Sequence, residues 1–374
     1  MTISRRQAIG AGLFAAAAAA TGAGLFLRDH PDVAPWLSAR EKVNLWGFVG
    51  GEKMQLLANP KFIKLLRDKF GLTLDGHQAG SVEMVRQPDL LAQKPQWLWP
   101  SSDVMIELAR MSSVPVKRAQ VIVNSPIVIY SWLPVAEGLR SAGIVEQTGG
   151  TYYVVDTKRL LAAHTNAVPW RDIGITALEG KARIQSTDPN KSNSGFMFAG
   201  LAANLLSDDV ADQASLTTNL PVLQKIFARM GFMSHSSGKL FDDYLTEGMG
   251  AYPLVVGYEN QLIEWALADP ARWARVHAHK DISPVVLYPK PTVFSSHPLL
   301  ALDDKAAALV PALLSPEVQK LAWSEHGFRG PVGSADAGEH KAVGLVTPQV
   351  LTAVLPMPDA ATMLSLIQAL GKTA

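Results

Sequence analysis

The chain contains no cysteine in 374 residues. That absence excludes disulfides, thiolate metal centres, cysteine nucleophiles and a lipid-bearing N-terminal cysteine. It also lacks a charge bias: Lys plus Arg number 34 and Asp plus Glu 33, for a formal net charge of +1. A body so balanced lacks the basic face that nucleic acid requires, so none is expected as a partner. Beyond the first 27 residues no apolar run approaches the roughly eighteen needed to span a bilayer, so the remainder is expected to be soluble. There is no internal repeat, no Gly-x-Ser-x-Gly elbow, no His-Glu-x-x-His pair and no dinucleotide glycine pattern. Ser236-x-x-Lys239 matches the nucleophile motif of penicillin-recognising enzymes, but the Ser-Asp-Asn and Lys-Thr-Gly partners of that motif are missing. A hydrolase using Ser236 and Lys239 stays as the enzymatic alternative to a chain that performs no covalent chemistry.

What is present starts at the amino terminus. Ser4-Arg5-Arg6-Gln7 precedes an uncharged, alanine-rich run to Leu27, the layout of a twin-arginine export signal over residues 1–27. A periplasmic location is the expectation, with retention as an N-terminal anchor as the other reading. Loss of Arg5 and Arg6 with a cleaved signal turns +1 into −1.

Strand, polar turn and helix then alternate. Val43 to Val49 reads as a buried strand ended by Gly50-Gly51, and Asn59-Pro60 opens a helix whose stripe is Phe62, Leu65, Leu66 and Phe70 and whose stop is Gly71. Trp97-Leu98-Trp99 is followed by Ser101-Ser102-Asp103, which caps a helix from Val104 to Met111. Leu254 to Asn260 is a further strand leading into a helix, and Ser315-Pro316-Glu317 opens one that Gly327 closes. Such alternation predicts α/β sheets, mostly parallel, flanked by helices, with ligands at the carboxyl ends of the strands. Two longer stretches, Val121 to Tyr130 and Ser283 to Phe294, carry prolines that argue against central strands and fit crossings between two lobes.

The loop Ser186 to Gly195 runs into an apolar, small-residue segment. It presents hydroxyls and amides beside the positive end of a helix dipole, with Asn193 or Ser194 as the expected cap, an arrangement suited to anions. A second polar loop, Ser234 to Lys239, is a candidate ligand-facing loop. His277-Ala278-His279 would place two imidazoles on one side of a strand, more simply a surface pair than a metal site. No cofactor is expected.

In this order the Gly50-Gly51 turn, Trp99-Pro100-Ser101-Ser102, Asn124-Ser125-Pro126, Thr187-Asp188-Pro189 to Ser194-Gly195, Tyr258-Glu259-Asn260 and the Ser315 to Gly327 helix resemble the type II periplasmic solute-binding proteins, the receptors of ABC importers. The likeness leans toward the molybdate- and phosphate-like branch, although the Thr-Gly-Ser-Gly phosphate loop has no counterpart here. The resemblance implies two α/β lobes, with 40–124 and 289–374 forming the first and 125–288 the second. It also implies two crossing hinge strands, a monomer, and delivery of a small solute, an oxyanion foremost, to an ABC permease. Carried over by position, the ligand would meet Gly51, Lys53, Ser101, Ser102, Ser125, Lys191, Ser192, Asn193, Ser194, Gly195, Tyr258 and Glu259. Lys53 and Lys191 read equally as surface lysines. Glu259 would repel an anion unless it pairs with a cation or the ligand is an organic solute, a sugar or amine, recognised with help from tryptophans.

Overall fold

The computed structural model describes residues 42–331, 340 and 345–371. The twin-arginine segment lies outside the described residues. Within them no helix is long and apolar enough to cross a membrane.

Large apolar side chains make β1 (Val43–Val49) a strand buried at Leu45, Phe48 and Val49. Helix α1 (Pro60–Leu65) starts as its sequence dictates: Asn59 Oδ1 accepts the N–H groups of Lys61 and Phe62, and Pro60, which has no N–H to lose, occupies the first turn. A π turn over Leu66–Phe70 carries the helix to Gly71, whose left-handed φ of 68° lets the chain reverse into β2 (Leu72–Gln78). Helix α2 (Ser81–Arg86), β3 (Trp97–Trp99) and α3 (Val104–Met111) repeat the unit. β1 lies between β2 and β3 and parallel to both.

The strand β4 (Arg118–Trp132) organises the rest. After it come β5 (Val145–Thr148), β6 (Thr151–Val154), β7 (Leu254–Tyr258), β8 (Pro284–Pro289) and β9 (Phe294–Ala301). The first half of β4 pairs with β9 and the second half with β7 and β8. Two sheets result, ordered β2-β1-β3-β9-β4 and β7-β4-β8-β6-β5, with β4 shared.

The prolines therefore do not keep β4 from a central place. Pro126 is the last residue paired to β9, and the ladder to β7 begins at Ile127, so its missing N–H falls where the strand changes partners. The later stretch is not one strand but two, β8 in the second sheet and β9 in the first. The sheets are also less parallel than the alternation of elements implies, because β4 runs against each of its neighbours, while among the named strands of the described residues parallel pairing is confined to β1–β2, β1–β3 and β6–β8.

The second lobe carries α4 (Asn193–Ser207), α5 (Gln213–Ala228), α6 (Ser237–Ala251), α7 (Glu259–Ala268) and α8 (Pro270–Ala278). α9 (Pro316–His326), ended by Gly327, packs on α1 and on α7. The last helix, α10 (Ala360–Gly371), packs against α4 and α5 and also reaches α3.

The segment expected to put two histidines on a strand is helical instead. Asp269 caps α8, Pro270 fills its first turn, His277 stacks on Trp273 with ring centroids 5.0 Å apart, and His279 follows the last turn. Among the described residues no group of three His, Asp or Glu side chains is placed to hold a metal ion.

Candidate functional site: the cleft between the lobes

The strands of the two sheets end at a common cleft. From the first lobe it receives the Gly50-Gly51 turn with Glu52, the end of β2 at Gln78, and Gly80, Ser81 and Glu83 at the start of α2. The second lobe contributes Lys191, Ser192 and Asn193 at the start of α4, His235 to Ser237 at the start of α6, and Tyr258 at the end of β7. The cavity so bounded measures about 520 Å³. Both polar loops singled out in the sequence thus lie on the second-lobe wall.

The amino termini of α4, a helix of 15 residues, and of α6, whose helical backbone is broken at Gly248, point into this space. Ser192, rather than Asn193 or Ser194, is the N-cap of α4, and no side chain caps from that position. The capping is done from the preceding segment, where Thr187 Oγ1 accepts the Gly195 N–H at 2.7 Å. Thr187 also holds the Ser194 hydroxyl at 2.7 Å. Gly195 is required by this approach, because a Cβ there would overlap the Thr187 carbonyl. The N–H groups of Asn193 and Ser194 have no hydrogen-bond partner among the described residues. At α6, Ser236 is the cap, with Oγ accepting the Lys239 N–H at 3.4 Å, and the N–H groups of Ser237 and Gly238 are likewise unpaired there. Unpaired N–H groups on two helix dipoles attract negative charge.

The floor carries the opposite charge. Glu52 lines the cleft, and its Oε1 accepts from the Lys53 ammonium and the Ser101 hydroxyl. Lys53 is completely buried; its Nζ also lies 2.9 Å from Ser101 Oγ and 3.0 Å from His297 Nδ1. Burial alone would push the Glu52 carboxyl up, but the Lys53 ammonium and His297 together hold it well below the usual carboxylate range. Burial, with the Lys53 charge beside it, pushes His297 down to about 4, so its imidazole is neutral near pH 7. Burial also lowers Lys53, partly offset by Glu52. The trio presents one charge-compensated carboxylate to the cleft. Asn193 stands opposite: Nδ2 donates to the Ser101 carbonyl at 2.7 Å and to the Tyr258 hydroxyl at 3.1 Å, while Oδ1 is buried without a partner among the described residues.

Of the residues expected to meet a ligand, the structure brings Gly51, Lys191, Ser192, Asn193 and Tyr258 to the cleft. The others stand behind its walls. Lys53 backs Glu52, and Ser101 is fully buried with it. Ser102 Oγ accepts the Val104 N–H at 3.3 Å at the start of α3, and Ser125 Oγ accepts the Asn260 N–H at 3.2 Å. Ser194 and Gly195 are occupied by Thr187. Glu259 does not face the ligand space of this cleft: Arg329 holds it in a fork at 2.6 and 2.7 Å, and Tyr288 donates to it at 2.6 Å. The carboxylate that would repel an anion is thereby neutralised.

Gln78, Ser81 and Glu83 went unnoticed in the sequence, whereas His235 belongs to the Ser234 to Lys239 loop. The Gly80 to Glu83 spacing, in which Glu83 Oε2 accepts the Gly80 N–H at 3.2 Å, is a capping signature that marks this helix start.

A second chamber of about 740 Å³ shares Gly51 and Glu52 with the first and is lined also by Asn59, Asp242, Gln261, Glu264, Trp265 and Glu325. The start of α6 packs on the Gly51–Lys53 turn between the two chambers. His326 Nδ1 meets Glu264 across the lobes in this chamber, and Asn59 Nδ2 lies 2.8 Å from His326 Nε2. The Ser236 and Lys239 pair does not form a nucleophile and base, since the Lys239 ammonium is bound to Asp243, which raises its pKa above the usual lysine value, and Ser236 Oγ serves as a helix cap.

No protein-family model matches the sequence, and no curated protein matches it. Solved structures do match in fold. The substrate-binding protein of an ABC transporter from Agrobacterium tumefaciens superposes with a TM-score of 0.55 at 14% identity, over 90% of this chain and 96% of its own. The periplasmic binding protein AfuA from Actinobacillus pleuropneumoniae, solved with fructose-6-phosphate bound, gives 0.55 at 11% identity over 87% and 96%. The sulfate-binding protein SubI from Mycobacterium tuberculosis gives 0.51 at 14% identity over 87% and 96%. The neighbours are periplasmic substrate-binding proteins for unlike solutes, and at these identities the likeness is one of fold: this chain has their two-lobed α/β architecture.

Proposed function

We propose that the protein is an exported solute-binding protein that captures a small anionic solute in the interlobe cleft and hands it to an ABC permease. The observation that carries this reading is the convergence of the α4 and α6 amino termini, with unpaired N–H groups, on a cavity whose opposite wall belongs to the other lobe. A solute held by both walls favours the closed arrangement over the open one, and β4 with the connection from β8 to β9, the two links between the sheets, supply the hinge. The export signal in residues 1–27 and the periplasmic neighbours support the location, and the neighbours' partnership with ABC transporters supports the permease. The preference for an anion rests on the helix termini and not on the likeness of fold.

Thermal melting against a panel of anions, sugars and amines tests the reading. A ligand at a hundred times its dissociation constant adds about 2.7 kcal/mol of apparent stability. Stabilisation by anions that Asn193→Ala and Lys191→Ala weaken is the expected result. Stabilisation by neutral sugars alone would place recognition elsewhere.

A further inference from the structure

We propose that the cleft takes an organic anion bringing hydrogen-bond donors of its own, hydroxyl or ammonium, and discriminates against fully ionised inorganic oxyanions. This rests on the solute-capture reading and names its ligand class.

The donors of the site are accounted for by the helix amino termini; the inference comes from its acceptors. Asn193 is 6% exposed, and both protons of its amide have partners in Ser101 and Tyr258. Asn193 lines the cleft, and its Oδ1 is buried and unpaired among the described residues. A buried carbonyl oxygen left without a donor is costly, and sulfate, which has no proton to give, leaves it so. Glu52 makes the same demand. Oε1 is taken by Lys53 and Ser101, whereas no hydrogen bond is made by Oε2 within the described residues. Lys53 compensates the charge of this carboxylate, but its free oxygen gives a fully ionised oxyanion no donor to bind, whereas it forms a strong charge-assisted bond to a hydroxyl or ammonium.

Space points the same way. The first chamber, about 520 Å³, lies in the range of roughly 300–1,000 Å³ typical of small-molecule sites, and the second, which shares Glu52 with it, measures about 740 Å³. Asp242, Glu264 and Glu325 line that second chamber, where Lys61 pairs with Glu325 and His326 with Glu264. An inorganic oxyanion leaves nearly all of this to water. An organic anion places its charged end at the α4 and α6 termini and its donor-bearing end at Glu52, on the side of Asn193.

Calorimetric titration of the full chain with matched probes tests this. Malate is compared with succinate, which lacks its hydroxyl, and glucose 6-phosphate and taurine are compared with sulfate. The expected result is that at least one donor-bearing probe binds tenfold or more tightly than its donor-free counterpart, a gap of about 1.4 kcal/mol. Glu52→Gln, which replaces the charge-assisted acceptor with a neutral amide, should shrink that ratio by about tenfold. The wild-type comparison stands even if the variant does not fold. Sulfate or succinate binding as tightly as the donor-bearing probes overturns the ligand class while leaving solute capture intact. No heat and no melting shift with any probe overturns capture itself, and the inference with it.

Discussion

Two buried glutamates, Glu52 and Glu259, each begin a helical turn just after a strand, and the protein treats them in opposite ways. Glu259 is enclosed by the Arg329 fork and the Tyr288 hydroxyl, both oxygens used. Glu52 has one oxygen engaged by Lys53 and Ser101 and the other unpaired at a cleft. A fully satisfied carboxylate serves architecture: Arg329 pairs through its backbone with Asn124 in β4 and through its side chain with the Pro348 carbonyl, so this ion pair ties the crossing strand to the second lobe and to the chain beyond. A half-satisfied one, held rigidly at a surface that a solute can reach, is equipped to recognise.

That contrast can be broken at several points. The largest effect is expected at Arg329→Met, which leaves Glu259 charged and unpaired in the core; chemical denaturation should show a loss of about 3–5 kcal/mol, and the double variant Arg329→Met/Glu259→Gln should regain part of it. If the double variant is no more stable than the single one, the pair does not act as a unit.

Behind Glu52, the second effect depends on pH. The unfolded chain protonates His297 near 6.5, whereas the folded protein refuses that proton until about 4. Stability from this residue is therefore full above 6.5 and is lost as pH falls toward 4, by up to about 3 kcal/mol, with Glu52 adding further loss below that window. Denaturation between pH 7 and 4 should show this slope, and His297→Asn should flatten it. An unaltered slope in the variant would remove His297 from the trio.

A smaller effect is expected at Gly195→Ala, where the added methyl meets the Thr187 carbonyl; a cost of about 1–3 kcal/mol and weakened anion binding should appear together in melting and titration. The smallest concerns Lys191, whose ammonium is 3.9 Å from Glu83 and half exposed. Lys191→Ala should change stability by less than about 1 kcal/mol while reducing anion affinity in a salt-dependent way, as titrations at low and high ionic strength would show.

Local signals in the sequence were sufficient for the elements and for parts of the cleft. Asn59-Pro60, Gly71 and Gly327 mark helix ends because caps and left-handed stops are decided within a few residues. The loops at Lys191 and Ser236 could be recognised as polar helix entries for the same reason. What escaped was decided over long separations. Nothing around Glu259 announces that its partner lies at Arg329, and nothing in the run from Ser186 to Gly195 says that Thr187 folds back to cap α4 in place of Asn193 or Ser194. The prolines of β4 argued against a central strand until the change of partner at Pro126 made them harmless. The histidines at 277 and 279 were misplaced on a strand although Asp269-Pro270, a cap and first-turn pair, stood ahead of them.

The central claim is that a solute is gripped between two lobes that close on it. The absence of cysteine makes a direct test possible, since Lys64→Cys on the first lobe and Phe232→Cys on the second, both at exposed positions, would carry the only two thiols for spin labels. Interlabel distances should be measured by electron-electron double resonance, without solute and with malate, glucose 6-phosphate, taurine and sulfate in turn. The account predicts that the probes that bind draw the distribution to a shorter, narrower distance. A distribution that stays unchanged with a probe shown by titration to bind would contradict it.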